Sequence, residues 1–382
     1  MTRPAIYLDH NAASPLLPEA RAALIAALDL VGNPSSVHAQ GRALRNLMDT
    51  ARGQIAKAAG AERNQVVFTG SATEAITQAI IGGAKAFACD AIVLSAGEHA
   101  AVAKAAEATG LRTVVIGLKP DGCIDLDQLA SILADAEVNG RNLLVALHWV
   151  NNETGVVQPM ARINALVGPT RHTLFVDAVQ AFGKLELDFA ASAPDMMAIS
   201  GHKIGAPAGI GALLVKSHAD VVRLIPGGGQ EQGRRGGTEP VALIAAFGAA
   251  AEAFSGRYAA AEVATQIARL EAGLLAMAPD AVVFGGERLG NVSNFAVPGV
   301  KNATAMMGLD LAGLSVSSGS ACSSGKVGAS HVLAAMGIAT ELADCALRVS
   351  LGWSSSSEDV DAFLAGYQSI LTRQRARREH AA

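Results

Sequence analysis

The chain has 382 residues, of which 51% are hydrophobic and only 4% aromatic, and its formal net charge at pH 7 is −4. This length exceeds what one typical core supports and predicts a large domain plus a smaller one, while a core of Ala, Val, Leu and Ile suits helices packed on a sheet. The slight negative charge creates no field that would attract nucleic acid.

The first residues, MTRPAIYLDHNAASP, lack the apolar run of a signal peptide. The most apolar later stretch, PVALIAAFGAAAEAF, is too short and too rich in alanine to span a bilayer. The four cysteines show neither a CxxC pair nor zinc spacing, which argues against a disulfide framework and a structural metal. We therefore expect a soluble, cytoplasmic protein that binds neither membranes nor nucleic acids.

Between about residues 60 and 220, short β-branched runs alternate with Ala-rich helical stretches. This alternation predicts an α/β domain in which a mostly parallel sheet is wrapped by helices. Ligands of such sheets collect beyond the carboxyl ends of the strands. The polar residues that directly follow each run are therefore the first candidates for a functional site.

The earliest of these positions follows the run VVF, where TGSATEA opens a helical stretch. The backbone amides of residues 70–73 and the hydroxyl of Thr73 are suited to binding a phosphate at a helix N-terminus. Ser and Thr before a helix are also ordinary caps, so this segment alone leaves both interpretations open.

Two later strand ends carry a carboxylate and a lysine. Asp177 ends the run TLFVDAV, Gln180 follows it, and Lys203 stands beside Ser200 and His202 in the polar turn of MMAISGHKIGAP. A buried acid needs a cation or donors, and a desolvated lysine keeps part of its amine free for a Schiff base. Pyridoxal phosphate requires both groups, although a structural Asp and a surface Lys remain the alternative.

The pattern changes after the Gly-rich, charged segment GGGQEQGRRGGTEP. Two long Ala-rich helical stretches cover about residues 240–278, and shorter strands follow in VVFGG, NVSNFAV and LRVSLGW. This change indicates a boundary near residue 255. We predict a large domain over residues 15–255 and a small α+β domain formed by residues 1–14 and 256–382.

Cys322 lies in SVSSGSACSSGKVG, a run of Ser and Gly that favours neither helix nor strand. A thiol in such a segment can reach more than one target. An ordinary surface linker is the alternative, and for this run taken alone it is the commoner case.

A series of motifs resembles, in the same order, the cysteine desulfurases of the NifS and IscS group, over about residues 6–353. They are LDHNAASP, GNPSSVH, FTGSATEA, GEHAAV, HWVNNETGVVQP, VDAVQ, SGHKIGAP, GGGQEQGRRGGTEP, SSGSACSSG and LRVSLG. The resemblance implies fold type I of the pyridoxal phosphate-dependent transferases, which is like aspartate aminotransferase and has a seven-stranded, mostly parallel sheet. It also implies removal of sulfur from L-cysteine to give L-alanine and a persulfide on Cys322.

The same resemblance implies roles around the cofactor. Lys203 would form the covalent link and move the Cα proton, Asp177 would pair with the ring nitrogen, and Gln180 would bond the ring hydroxyl. His99 would cover the ring and assist proton transfer, although a lone histidine there is more often just a helix start, and Asn152 would contact the ring. The implied phosphate ligands are Ala72, Thr73, Ser200 and His202.

For the substrate and partners, Arg348 would grip the carboxylate of L-cysteine by its fork geometry, with help from Asn33. Thr238 would reach the phosphate of a neighbouring subunit, which implies a homodimer. The implied acceptor of the sulfur is a protein such as an iron–sulfur scaffold, with Cys322 as a transient ligand of a shared [2Fe–2S] cluster. A selenocysteine lyase, an aminotransferase and a non-catalytic scaffold paralogue on the same fold are the alternatives.

Overall fold

The computed structural model describes residues 5–318 and 330–381, so the predicted nucleophile Cys322 lies outside the described residues. The strands, in chain order, are β1 (Ile6–Tyr7), β2 (Val66–Thr69), β3 (Ala91–Ser95), β4 (Arg112–Ile116), β5 (Leu143–His148), β6 (Thr173–Asp177), β7 (Met196–Ser200), β8 (Gly211–Val215), β9 (Val282–Val283), β10 (Val292–Ala296), β11 (Leu314–Ser315) and β12 (Ala346–Ser350).

The helices include the two long stretches predicted near residues 240–278, which are confirmed as α8 and α9. The bounds are α1 (Pro18–Leu28), α2 (Ala39–Ala58), α3 (Ala72–Thr77), α4 (Gly83–Ala86), α5 (Ala100–Ala108), α6 (Leu126–Val138), α7 (Met160–Val167), α8 (Val241–Arg257), α9 (Ala260–Met277), α10 (Asn302–Leu311), α11 (His331–Ala335), α12 (Thr340–Ala343) and α13 (Ser357–Ala381). Among the helices described, none combines the length and the apolar character needed to cross a bilayer.

The large sheet has seven strands in the order β2-β8-β7-β6-β5-β3-β4. Only β8 runs against its neighbours, and the other pairs along β7-β6-β5-β3-β4 are parallel. Successive residues of a strand point to opposite faces, so Val93 of β3 packs in one hydrophobic core and its neighbours Ile92 and Leu94 in another. The predicted α/β fold with a mostly parallel sheet covered on both faces is therefore confirmed.

Two smaller sheets complete the described chain. Strands β12, β10 and β9 form an antiparallel sheet, and β1 pairs in parallel with β11 through Ile6 opposite Leu314. This second pairing places the start of the chain beside residues that follow position 255. The domain limits given above stay a prediction.

The glycine-rich loop of residues 226–238 is anchored by one buried ion pair. Glu231 and the next residue, Gln232, have left-handed backbone angles (φ 49° and 59°), which are unfavourable for residues other than glycine. The Glu231 carboxylate accepts two hydrogen bonds from Arg52, at 2.8 and 2.7 Å, and one from the Phe68 amide at 2.8 Å. Its side chain is 1% exposed, so this ion pair offsets the backbone strain of the loop.

Replacing Arg52 by Met should therefore destabilise the protein strongly. The change leaves the buried Glu231 carboxylate without its cation, which costs about 3–5 kcal/mol in comparable buried pairs. Urea unfolding followed by circular dichroism measures the loss. As a control, Lys104→Met breaks the exposed pair with Glu107 and should leave the midpoint unchanged. Equal midpoints for both variants would show that the Arg52 pair does not anchor the loop.

Candidate active site

A cavity of about 300 Å³ lies beyond the carboxyl ends of β5, β6 and β7. Its wall brings together nine of the residues predicted from the sequence: Ala72, Thr73, His99, Asn152, Asp177, Gln180, His202, Lys203 and Arg348. Crevices beyond the carboxyl ends of strands are where open α/β sheets bind ligands. The cavity is therefore the candidate active site.

One end of the cavity is formed by the first turn of α3. Ser71 caps this helix by accepting a hydrogen bond from the Glu74 amide at 3.1 Å, and Ala72 and Thr73 line the cavity. Strand β8 approaches the turn closely at Gly211, where a Cβ atom would lie 2.8 Å from the carbonyl carbon of Ser71. The start of the helix thus presents backbone N–H groups, which suit the phosphate of pyridoxal phosphate.

The same end holds the predicted pair Ser200 and His202. Ser200 is fully buried behind the wall, and its hydroxyl lies 2.9 Å from Nδ1 of His202, which lines the cavity. Burial, together with the neighbouring Lys203, lowers the pKa of His202 to about 4. His202 is therefore neutral at physiological pH and contributes a hydrogen bond rather than a charge.

At the centre, the Asp177 carboxylate stands at the end of β6. It accepts a hydrogen bond from the Val179 amide at 3.0 Å, and burial raises its pKa. No ion pair within residues 5–318 and 330–381 neutralises this carboxylate. His99 and His148 act on it electrostatically and lower its pKa, but burial is the larger effect. A buried acid outside any ion pair fits a ligand that brings its own positive charge, and the protonated ring nitrogen of pyridoxal phosphate is such a group.

Lys203 follows β7 in a single 3-10 turn, Gly201–Lys203, and points its amine into the same cavity. Its Nζ donates to the carbonyl oxygens of Asn11 at 2.8 Å and Ala12 at 2.7 Å. Gln180 also donates to the Asn11 carbonyl, at 2.9 Å. Asn11 and Ala12 were missed as individual residues, although the motif LDHNAASP that contains them was noted.

His99 begins α5 and caps it with its ring. Nδ1 accepts a hydrogen bond from the Ala101 amide at 3.1 Å, so the neutral ring carries its proton on Nε2. The ring lines the cavity. His99 is therefore the helix-start histidine of the simpler interpretation, and its ring also forms part of the cavity wall.

Behind the cavity lies a buried network that the sequence did not reveal. The Glu98 carboxylate accepts hydrogen bonds from the Ser95 hydroxyl at 2.6 Å, the His148 amide at 3.0 Å and Nδ1 of His148 at 2.8 Å. Nε2 of His148 faces the Gln158 amide nitrogen at 3.2 Å. The network links the ends of β3 and β5, which His99 and Asn152 closely follow. In the sequence, its only sign is that Glu98 and His148 belong to the motifs GEHAAV and HWVNNETG.

Arg348 lies on β12 at the other side of the cavity. Nη2 donates to Asp9 at 2.6 Å and Nη1 to the carbonyl oxygen of Asn152 at 2.9 Å, while the buried Nε has no hydrogen-bond partner in the described part of the chain. A guanidinium held in this way keeps a donor for a carboxylate ligand. Asp9, which holds it, was not predicted.

Two predicted residues lie away from the cavity. Asn33 is exposed, and its side chain accepts a hydrogen bond from the Ser35 amide at 2.8 Å. Thr238 is exposed at the end of the glycine-rich loop. Neither is among the residues that line the cavity. In the single described chain, neither residue is therefore placed to contact a ligand bound in this cavity.

The described residues on either side of 319–329 are tied to the cavity wall. Ser317 pairs through its backbone with Arg348, at 2.7 and 3.2 Å. On the far side, Ser330 donates to the Glu153 carboxylate, and a ring nitrogen of His331 lies 3.0 Å from the Glu98 carbonyl oxygen. The segment that contains Cys322 thus starts and ends beside the candidate site.

Comparisons with known proteins agree with this geometry. The family model described as aminotransferase class-V matches residues 6–363. "Cysteine desulfurase 2" of Trichormus variabilis is 37% identical over 97% of this chain and 94% of its own. A NifS-like protein from Rickettsia africae superposes with a TM-score of 0.86 at 31% identity, covering 96% of this chain and 99% of that one. SspA in complex with cysteine superposes with a TM-score of 0.79 at 30% identity, covering 90% and 98%.

Asp177→Asn should have opposite effects on the protein and on its cofactor. Because burial raises the Asp177 pKa, the folded chain binds that proton more tightly than the unfolded chain, so ionised Asp177 lowers stability. The neutral amide should therefore raise the thermal midpoint of the cofactor-free protein. This gain should be present near neutral pH and vanish in acid, below the unfolded pKa of about 4.

The same variant should lose pyridoxal phosphate faster on dialysis, since Asn cannot neutralise a ring cation. Visible absorbance measures the retained cofactor, and differential scanning fluorimetry measures the midpoint. A lower midpoint together with unchanged retention would contradict the assignment of Asp177 as the partner of a bound cation.

Proposed function

The chain belongs to the class-V aminotransferase family, and we propose that it is a pyridoxal phosphate-dependent cysteine desulfurase that forms L-alanine and a persulfide on Cys322. The observation that carries the proposal is the cavity whose wall brings together the amine of Lys203 and the buried carboxylate of Asp177, which no ion pair of the described residues includes. The relatives named as cysteine desulfurases support the substrate, as does SspA, whose structure holds cysteine.

The cofactor is held by groups at both ends of the cavity. When bound, pyridoxal phosphate supplies an aldehyde and an electron-accepting ring that activate the Cα of an amino acid. Asp177 would neutralise the ring nitrogen, Gln180 would donate to the ring oxygen, and Asn152 would contact the ring; all three line the cavity. The phosphate ligands are the α3 start with Ala72 and Thr73, together with Ser200 and His202.

Proton transfer falls to Lys203 and His99. Lys203 would hold the cofactor through its amine, and the same amine would move the proton at the Cα of the substrate. His99 carries a proton on Nε2 at the cavity wall, so it can donate to a basic atom of the substrate.

Sulfur transfer requires the substrate to be held while the thiolate attacks. Arg348 binds the substrate carboxylate, and Asn33 assists it. The Cys322 thiolate attacks the substrate sulfur, an S–S bond forms as the C–S bond breaks, and the electron pair passes to the carbon fragment, which is protonated and leaves as L-alanine. The anchoring of Ser317 and Ser330 beside the cavity supports this reach.

The active form is a homodimer in which Thr238 reaches the phosphate of the neighbouring subunit. The exposure of Thr238, outside its own cavity, supports this arrangement. The sulfur passes to an acceptor protein such as an iron–sulfur scaffold, with which Cys322 shares a transient [2Fe–2S] cluster, and the site of action is the cytoplasm. The domain limits of 15–255 and of 1–14 with 256–382 belong to the same proposal.

Cys322→Ala should abolish release of L-alanine and sulfide from L-cysteine, because the sulfur acceptor is lost while the yellow cofactor remains bound. Alanine by chromatography and sulfide by a colorimetric assay measure this. Cys123→Ala is the matched control: this thiol is partly exposed, and burial raises its pKa, so its loss should change neither product.

The alternatives give other results. A variant without Cys322 that still transaminates would indicate an aminotransferase. Loss of activity with cysteine but not with selenocysteine would indicate a selenocysteine lyase. A purified protein that takes up no pyridoxal phosphate would exclude the desulfurase and leave a non-catalytic paralogue.

Arg348→Lys should raise the KM for L-cysteine about tenfold or more, with a smaller change in kcat. Lysine keeps the charge but not the fork that Arg348 uses to contact Asp9 and Asn152 while a donor remains for the substrate. Steady-state kinetics separate the two constants. An unchanged KM with a reduced kcat would show that Arg348 does not bind the substrate carboxylate.

A further inference from the structure

Lys184 is a half-buried lysine for which the proposed mechanism has no use. It lies in the helical turn that follows β6, one turn beyond Gln180. No ion pair in the described ranges, 5–318 and 330–381, includes Lys184. The charged side chains that act on it, Lys203 and Arg348, carry the same sign. Placing a lysine here lowers the stability of the fold, which suggests that Lys184 has a role in the function of the site.

The contact that Lys184 makes is with Gln180. Its Nζ donates to Oε1 of Gln180 at 3.0 Å. At the other end of the same amide, Nε2 of Gln180 donates to the Asn11 carbonyl oxygen at 2.9 Å. An ammonium has only donors and a carbonyl has only acceptors, so both contacts require the same orientation of the amide. Gln180 cannot flip without losing both hydrogen bonds.

This orientation decides what Gln180 offers to a ligand. Gln180 is buried and lines the cavity. Its carbonyl oxygen is directed to Lys184, and one of the two N–H groups of Nε2 is used by Asn11, which leaves the other N–H for a group in the cavity. A flipped amide would present an oxygen, which would repel an anionic acceptor. Lys184 and the Asn11 carbonyl together therefore keep an N–H of Gln180, rather than its oxygen, directed to the cavity.

The charge of Lys184 acts in the same direction. Desolvation lowers its pKa to about 7, with Lys203 and Arg348 as lesser causes, so a substantial fraction stays protonated at physiological pH. The remaining titratable neighbour, His10, has its pKa lowered to about 4 by burial and by Lys184. The Lys184 amine can donate to Gln180 in either protonation state, so this hydrogen bond persists above and below neutral pH.

We propose that Lys184 is a positioning residue that holds Gln180 with its N–H toward the cavity and thereby favours the anionic form of the cofactor's ring oxygen. The inference rests on the proposed function, because it assigns the ring oxygen of pyridoxal phosphate to Gln180. It adds Lys184, which does not line the cavity, to the residues that influence the protonation of the ring oxygen.

The test compares the visible spectra of Lys184→Met, Lys184→Arg and the unchanged holoenzyme at one pH. Lys184→Met should lower the ratio of the yellow band to the shorter-wavelength band about tenfold, because the anionic oxygen loses an oriented donor and a nearby cation. Lys184→Arg keeps donor and charge and should restore the ratio. Lys216→Met is the control, because Lys216 is also half-buried and donates to a carbonyl oxygen, that of Ala190. Lys216 lies beside the start of β7, at the end of that strand away from the cavity.

A second arm shows whether Lys184 acts through Gln180. Gln180→Leu should lower the ratio, and adding Lys184→Met to it should produce little further change, whereas independent roles would give additive effects. If Lys184→Met fails to fold, Gln180→Glu tests the same point, because it removes the donor and leaves residue 184 in place. An unchanged ratio in a folded Lys184→Met or Gln180→Glu variant would overturn the inference, as would additive effects. Failure of the unchanged protein to bind pyridoxal phosphate would instead overturn the proposed function.

Discussion

The structure depends on a buried carboxylate that forms no ion pair within the described chain. Asp177 ends β6, where burial raises its pKa and one backbone amide donates to it. The amine of Lys203 reaches the same cavity from the end of the adjacent strand β7 but is held by two carbonyl oxygens instead. Keeping the acid and the amine apart costs stability. Both groups line the cavity, where a ligand that carries a cation and an aldehyde can contact them.

The start of the chain maintains this separation. The carbonyl oxygen of Asn11 accepts hydrogen bonds from both Lys203 and Gln180. The Asn11 amide donates to the Ser350 hydroxyl at 2.9 Å, on strand β12, which also carries Arg348. Asp9 in turn holds Arg348. A few N-terminal residues thus join the large sheet to the smaller one, so Lys203, Gln180 and Arg348 are positioned by a common element.

The strands of the large sheet, and the polar residues at their ends, could be predicted from local patterns in the sequence. Asp177 and Lys203 follow apolar runs that became β6 and β7, so their meeting at one edge of a parallel sheet followed from topology. Glu98 and His148 were missed because they contact each other across 50 positions, which no local pattern indicates. Lys184 was missed although its partner Gln180 lies only four positions earlier, because the turn that brings them together was not predicted. The domain limits and the roles of the site residues stay predictions, and Cys322 lies outside the described residues.

Thr238 and the glycine-rich loop extend this reasoning beyond one chain. The loop is held rigidly: Arg52 binds Glu231, and Arg235 contacts Glu74 at 2.8 Å on the helix whose first turn closes the phosphate end of the cavity. A loop connected to the phosphate end of its own cavity still directs Thr238 to solvent. Among the described residues, Thr238 does not line the cavity of its own subunit. This placement supports the proposal that Thr238 serves the cavity of a second copy.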